Sequence, residues 1–495
     1  MNDLELLNAS IYELGVAMDN KLTSATDIVS TYLQRVNAYE GGEVGINAFI
    51  TLNSNALTLA GALDEERERY GRRSLLHGIP IVVKDLFNTK DLPTTAGFIP
   101  FRYMQCHEDA TVIEKLKHAG AIVLGKSNMS DWFGVAPQGM QSAVGGRTKN
   151  PYNLNLTPGR SSGGTAAAIS SGFASLGLAS ETGVSIRNPA SNNNLFAVVP
   201  TPGLISRHGL IMNSHVMERA GFVSRNVYDL AVGMQSVSGY DARDSLTRRS
   251  VARRHLFENL VGSIDTKKIF KVGVLTDMYR DGNLHREGIG LVNEAINKLQ
   301  LYDVNIVHGL STGLDLFTVL SELRDLNMYE MRDALDNYFK LNKSNLQIRD
   351  SSDFLTRYQD DLKPGILPYL NSDSSMVSSI RKKRWRQTHE LGNVITRLMD
   401  LHNLDALVYP FKSEPALSEH VIPRESDNPL SSVCGLPAVI VPAGFTSADN
   451  APIAMEILGR RWGEPDLLAL ARRYERHVRR WTLPVSTPYL SSLLA

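Results

Sequence analysis

The apolar positions of this chain change period along its length. Over residues 24–39, Ile28, Tyr32, Leu33 and Val36 recur at helical spacing, with Thr23 or Ser24 placed to cap the first turn. Residues 78–85 then read GIPIVVKD, a β-branched run that predicts a buried strand ending at Lys84. A helix is expected over 109–120, closed by Gly120, and a second buried strand over 121–124. Strands alternating with helices argue for a largely parallel α/β sheet.

Residues 145–205 are crowded with Gly, Ser, Ala and Thr, a composition shared with disordered segments. Ile169, Phe173, Leu176, Leu178 and Ile186 punctuate the run, so a tightly packed helix and strand with close backbone approaches is the better reading. Further on, a strand is expected over 272–275 and amphipathic helices over 288–301 and 329–341. The basic run 380–386 reads as a solvated helix face. The tail resumes α/β texture, with strands over 405–409 and 437–442 and a helix over 466–479. No repeat of fixed period is present.

Composition narrows the function. Lys plus Arg is 52 and Asp plus Glu is 52, so the basic excess of a general nucleic-acid binder is missing. The two cysteines, Cys106 and Cys434, allow at most one bridge and suit a reducing compartment. The first residues, MNDLELLNAS, lack the pattern of a secretory signal, the final SSLLA matches no anchor, and no run approaches the ~18 apolar residues of a membrane helix. A cytoplasmic protein with no membrane span is expected.

A hydrolase needs a nucleophile, a base and an oxyanion site. None of the twelve histidines sits in a Gly- or Ser-rich turn beside an acid; His208 and His215, nearest the Ser-rich block, read as packing or surface residues. Residues 159–163, GRSSG, satisfy the G-x-S-x-G nucleophile elbow, but loop rather than strand precedes them. Lysine offers a better base. Lys84 ends an apolar strand, where burial disfavours its charged form, and a neutral lysine accepts a proton from serine. Ser161, Ser162 and Ser185 lie in the two Gly-rich turns.

The segments 78–85, GKSNMS at 125–130, Asn150-Pro151, SSGG at 161–164 and SIRNPA at 185–190 occur in order, and CGLPA at 434–438, PAGF at 442–445 and Glu464 follow. Together they resemble the amidase signature family of serine hydrolases, densely over 75–210 and again over 405–475. The resemblance implies an α/β amidase-signature fold: one large mixed, mostly parallel β-sheet flanked by helices on both faces. It implies a single domain over 1–495, with an N-terminal helical segment over 1–70 and a helical insertion over 310–400 that covers the pocket.

It also implies a Ser–cis-Ser–Lys triad, with Ser185 as nucleophile, Ser161 after a cis peptide as the bridging serine, and Lys84 as base. The backbone N–H groups of Thr182, Gly183, Val184 and Ser185 would form the oxyanion hole. Met129 and Trp132 are expected in the substrate pocket. The substrate would be a small-molecule amide or ester, with no metal or organic cofactor and no nucleic acid; a homo-oligomer is compatible.

Several residues depart from the family pattern. Val184 stands where the family usually has Gly, and a β-branched residue tolerates positive φ poorly, so the turn is reshaped or the acyl pocket narrowed. Arg160 replaces a Gly and Glu181 an Asp. Residues 192–194 and 198–200, Glu218 and Gly221-Phe222 also differ. The expected activity is amide or ester hydrolysis through a Ser185 acyl-enzyme. The alternatives are acyl transfer from the same intermediate and an impaired, amidase-like binding protein. The glutamine-hydrolysing component of a tRNA-dependent amidotransferase is less favoured, since residues 320–400 show no family-like glutamine motif.

Overall fold

Among the described residues, thirteen strands carry the architecture: β1 (Phe49–Leu52), β2 (Pro80–Lys84), β3 (Ile122–Ser127), β4 (Gln141–Ser142), β5 (Gly146–Arg147), β6 (Leu176–Glu181), β7 (Phe196–Val199), β8 (Arg219–Ser224), β9 (Phe270–Leu275), β10 (Val304–Leu310), β11 (Ala406–Pro410), β12 (Ala438–Phe445) and β13 (Pro452–Gly459). They belong to a computed structural model that describes all residues except 43, 133–139, 281, 373, 413, 415, 417–427, 479–480 and 494–495. Eleven strands form one mixed sheet in the order β1-β3-β2-β6-β8-β7-β12-β13-β11-β9-β10, while β4 and β5 make a separate hairpin. Strand β2 runs parallel to both β3 and β6, and β9 parallel to β10 and β11; the other neighbours are antiparallel. The large mixed sheet flanked by helices is therefore as expected.

The local chemistry explains the elements that build the site. Every residue of β2 is buried, the signature of a strand with parallel partners on both sides and both faces covered. Strand β3 runs past its predicted end, through Gly125, Lys126 and Ser127. Gly125 permits this, because a side chain there would stand 2.6 Å from the Thr51 carbonyl of β1. The helix Gly163–Ser170 is wholly buried, and Gly164 brings its backbone against Asn128, whose carbonyl lies 2.1 Å from where a Cβ would sit. The Gly/Ser-rich stretch is thus a packed core. The first predicted helix is observed as Ala25–Tyr39, with Ser24 and Asp27 capping it reciprocally. The N-terminal segment contributes, besides its helices, the edge strand β1.

After β10 the chain is helical: Leu316–Asp325, Met331–Leu341, Ser351–Tyr358, Leu367–Leu370 and Ser374–Leu401. This insertion docks on two segments that flank the site. Tyr338 donates to Asn88 Oδ1 at 2.6 Å, just after β2, and Ser214, shortly before β8, donates to Glu330 at 2.5 Å. Phe101 packs edge-on against Phe339 and Phe354. The basic run 380–386 corrects one expectation. Lys382, Lys383, Trp385 and Arg386 are exposed, but Arg384 is wholly buried, 4.0 Å from Glu330. Helical periodicity puts it on the inward face with Val377, Thr388 and Leu391.

Among the described residues no helix is long and apolar enough to cross a membrane. Both cysteines are free and buried.

Candidate active site

Lys84 closes β2 and is 1% exposed. Its ammonium nitrogen donates to Ser161 Oγ at 2.7 Å, to Ser180 Oγ at 3.1 Å and to the Ser180 carbonyl at 3.2 Å. Burial lowers its pKa from 10.5 to about 7, against the opposing pull of the Glu218 and Glu181 carboxylates. Lys84 is therefore poised near neutrality and in contact with a serine hydroxyl. A second buried lysine, Lys126 of β3, serves differently: it pairs with Asp85 at 3.0 Å and donates to the Phe87 and Pro93 carbonyls. That pair fixes the chain leaving β2.

Ser161 stands in a turn in which the Gly163 N–H donates to the Arg160 carbonyl at 2.8 Å, leading directly into the helix Gly163–Ser170. Among the described residues no peptide bond is cis. The bond before Ser161 is thus trans, contrary to the resemblance; the trans chain closes this turn with an ordinary backbone hydrogen bond. No strand precedes the turn, so the GRSSG elbow is not formed. The strand–turn–helix geometry of an elbow occurs instead at Ser185, between β6 and the helix Arg187–Asn192.

The turn 182–186 is held from below. Glu181 Oε2 accepts the N–H groups of Ile186 and Arg187 at 3.0 and 3.1 Å. Burial pushes the Glu181 carboxyl up, but Arg187 and Arg219 overcome this and hold it below its ordinary range. The Gly183 carbonyl accepts from Arg187 at 2.7 Å and from Ser432 at 2.5 Å, and the Val184 carbonyl accepts the Asn188 N–H at 2.8 Å. With its carbonyls tied down, the turn leaves its amides unused: the N–H groups of Thr182, Gly183, Val184 and Ser185 donate to no acceptor among the described residues. Successive free amides form an anion-binding concavity. The Ser185 hydroxyl, half-buried, likewise makes no hydrogen bond among the described residues, to Ser161 or to any other group.

Val184 does not take a positive φ, so its branched side chain imposes no backbone strain there. It is 6% exposed and belongs to the main apolar core. Gly183, by contrast, faces open space: a Cβ built there meets nothing within 4 Å. Met129 and Trp132 are both buried on the segment after β3, Met129 one residue beyond the Asn128 carbonyl that packs on Gly164. His215 Nε2 meets the Asn337 amide at 3.0 Å, and neither it nor His208 hydrogen-bonds to Ser161 or Ser185 among the described residues.

Four contributors carried no functional reading in the sequence. Ser180 anchors Lys84; its signal was its place at the end of β6, the parallel neighbour of β2. Glu218 accepts from Thr182 Oγ1 at 2.5 Å, and burial raises its carboxyl. Ser432 and Glu456 come from distant elements: Ser432 Oγ lies 2.8 Å from the Glu181 carboxylate, and Glu456 pairs with Arg187 at 2.8 Å. No local spacing reveals them.

Among the described residues no group of three or more His, Cys, Asp or Glu is arranged to hold a metal. A family model described as Amidase matches residues 27–468. One component of the glutamyl-tRNA(Gln) amidotransferase of Psychrobacter sp. (strain PRwf-1) is 28% identical, covering 96% of this chain and 97% of its own. The protein of the same description from Alkaliphilus metalliredigens (strain QYMF) is 30% identical, with the same coverage. Among solved structures, the native peptide amidase from Stenotrophomonas maltophilia superposes with a TM-score of 0.84 at 27% identity, covering 97% of this chain and 99% of that one. With that model spanning most of its length, the chain belongs to the amidase family, the amidase-signature enzymes that act on the carbon–nitrogen bonds of amides.

Proposed function

We propose that the protein hydrolyses a small carboxamide, or the corresponding ester, through an acyl-enzyme on Ser185. Neutral Lys84 takes a proton from Ser161 as Ser161 takes one from Ser185, and Ser185 Oγ attacks the carbonyl carbon. The free N–H groups of residues 182–185 receive the developing oxyanion; each such donor is typically worth ~3–4 kcal/mol in the transition state. The proton held by Lys84 returns through Ser161 to the leaving nitrogen. Water then cleaves the acyl-enzyme by the reverse relay. Met129 and Trp132 are assigned to the walls of the substrate site, and the helices of 310–400 to its cover.

The observation that carries this reading is the 2.7 Å contact between Lys84 Nζ and Ser161 Oγ beside four unpaired amides. The test is labelling with a fluorophosphonate probe. Wild-type protein should label at Ser185, and Ser185→Ala should lose both labelling and amide turnover while keeping its melting temperature. Retained turnover in Ser185→Ala would remove Ser185 from the nucleophile's role.

A second reading is glutamine hydrolysis within a larger amidotransferase. The coverage of the two amidotransferase relatives over nearly their whole length favours it. Release of glutamate from glutamine by the isolated chain, or only after partner proteins are added, would select it over the small-carboxamide reading. Acyl transfer from the same intermediate would show as new amide product when hydroxylamine is added.

A further inference from the structure

The chain is electrically balanced, yet its arginines are not evenly neutralised. Arg243, Arg254 and Arg460 each reach a carboxylate: Glu114, Glu258 and Asp400. Arg248, Arg249, Arg253 and Arg461, their sequence neighbours, form no ion pair with any described residue. All four line one groove of about 540 Å³, where the 3-10 segment Ser245–Leu256 faces the long helix Ser374–Leu401. His215 and His389 join them, and no carboxylate lies among the described lining residues. Burial, and after it the positive charges of Arg461 and Arg249, hold the His389 imidazole below its ordinary pKa. The groove is therefore a field of one sign.

Two indoles edge it. Trp385 is 55% exposed and stacks on His389 with ring centroids 4.7 Å apart. Arg253 lies over Trp462, 4.9 Å from its centroid. The size is that of a small-molecule site, far short of a nucleic-acid track. Guanidinium forks match phosphate oxygens bidentately, and indole faces accept an aromatic ring.

We propose that this groove binds a compact polyanion of the phosphate class, a pyrophosphate or nucleotide-sized phosphate ester. The site is separate from the catalytic serines but touches their support. Its lining includes Ser432, Val433 and Cys434, and Ser432, with Arg187, holds the Gly183 carbonyl. Arg461 itself donates to the Cys434 carbonyl at 2.9 Å, leaving the rest of its fork for a ligand.

The experiment is calorimetric titration of the full chain with sodium pyrophosphate and, separately, with ATP at low ionic strength. Saturable binding is expected, retained in Ser185→Ala, and weakened about tenfold or more by Arg249→Glu or Arg253→Glu, since each replaces an attraction with a repulsion. Both substitutions lie on an exposed or half-exposed 3-10 segment, and unchanged melting temperatures would certify the fold. Affinity should fall as salt is raised. Tighter binding of ATP than of pyrophosphate would assign the indoles a ring, and equal binding would assign the site to phosphate alone. Absence of saturable binding by both probes, or unchanged affinity in both charge reversals, overturns the proposal. Loss of binding in Ser185→Ala would move the anion to the catalytic turn and overturn it too.

Discussion

Glu181 grips Arg187 at two points: one carboxylate oxygen accepts the Arg187 backbone N–H at 3.1 Å, the other its Nε at 2.8 Å. This clasp spans the turn that carries Ser185 and fixes the start of the following helix. Both side chains are fully buried. Removing the Glu181 charge leaves Arg187 paired with Glu456 but takes from the buried Arg219 its carboxylate partner, and an uncompensated buried charge costs about 3–5 kcal/mol. Glu181→Gln should therefore lower stability by that order in urea unfolding. It should also lower kcat more than it raises KM, because the amides of residues 182–185 lose their fixed aim. Glu181→Asp keeps the charge but shortens the reach, and should fall between the two. A Glu181→Gln enzyme with wild-type kcat would show that the turn holds itself.

With Lys84 as the proposed base, activity and stability should depend on pH in linked ways. Its folded-state pKa of about 7 lies below the ordinary 10.5. For the amide substrate, kcat/KM should rise with pH through an apparent value near 7 as the base becomes neutral. Between 7 and 10.5 the native protein binds fewer protons than the unfolded chain, so this group's contribution to stability increases with pH over that window. Below 7 the full penalty of a buried ammonium is present. The unfolding free energy of wild type relative to Lys84→Met should thus climb from pH 7 to 10. A constant difference would mean that Lys84 stays charged. Lys84→Met should lose most activity, and lose more on an amide than on an activated ester, since only the amide nitrogen must be protonated to leave.

Burial lowers that titration, and Glu218 opposes it. Its carboxylate accepts from Thr182 Oγ1, and its charge raises the Lys84 pKa against the effect of burial. Glu218→Gln keeps the shape and removes the charge. The acid limb of the kcat/KM profile should then move to lower pH, with the direction read from a full pH series. A shift to higher pH would contradict the electrostatic role.

Much of this site was legible in the chain, and the division follows sequence distance. Lys84 could be placed because an apolar strand ending in lysine leaves that ammonium little water. Ordered motifs singled out Ser161 and Ser185; Lys84 meets Ser161, whereas Ser185 makes no hydrogen bond to either among the described residues. The clasp beneath them could not be placed, because Glu181 draws on Ser432 and Arg187 on Glu456, each more than 200 residues away, and only sheet order brings them together. Strand β3 outran its predicted end because Gly125 and Lys126 look like breakers until the Thr51 carbonyl and Asp85 are seen beside them. Arg384 read as solvated with its basic neighbours, yet helical periodicity turns it inward toward Glu330.

Val184 and Gly183 divide the turn into a core side and an open side, and this reverses the weight given to the valine. Val184 is packed in the apolar core without backbone strain, so its methyls contribute stability more than acyl selection. Deleting a buried valine side chain and adding glycine's backbone freedom should together cost roughly 2–4 kcal/mol. Val184→Gly should accordingly melt lower, with its rates falling together across acyl groups and its preferences unchanged. Gly183 has free space where a side chain would stand. Gly183→Ala should fold with a wild-type melting temperature. Its methyl would sit beside the amides proposed to receive the oxyanion, so kcat/KM should fall about tenfold or more, and most for branched acyl groups. A series of acyl amides of graded width, run on both variants, reads the outcome. Broadened acyl preference in Val184→Gly, with Gly183→Ala unaffected, would place the acyl pocket on the valine side of the turn.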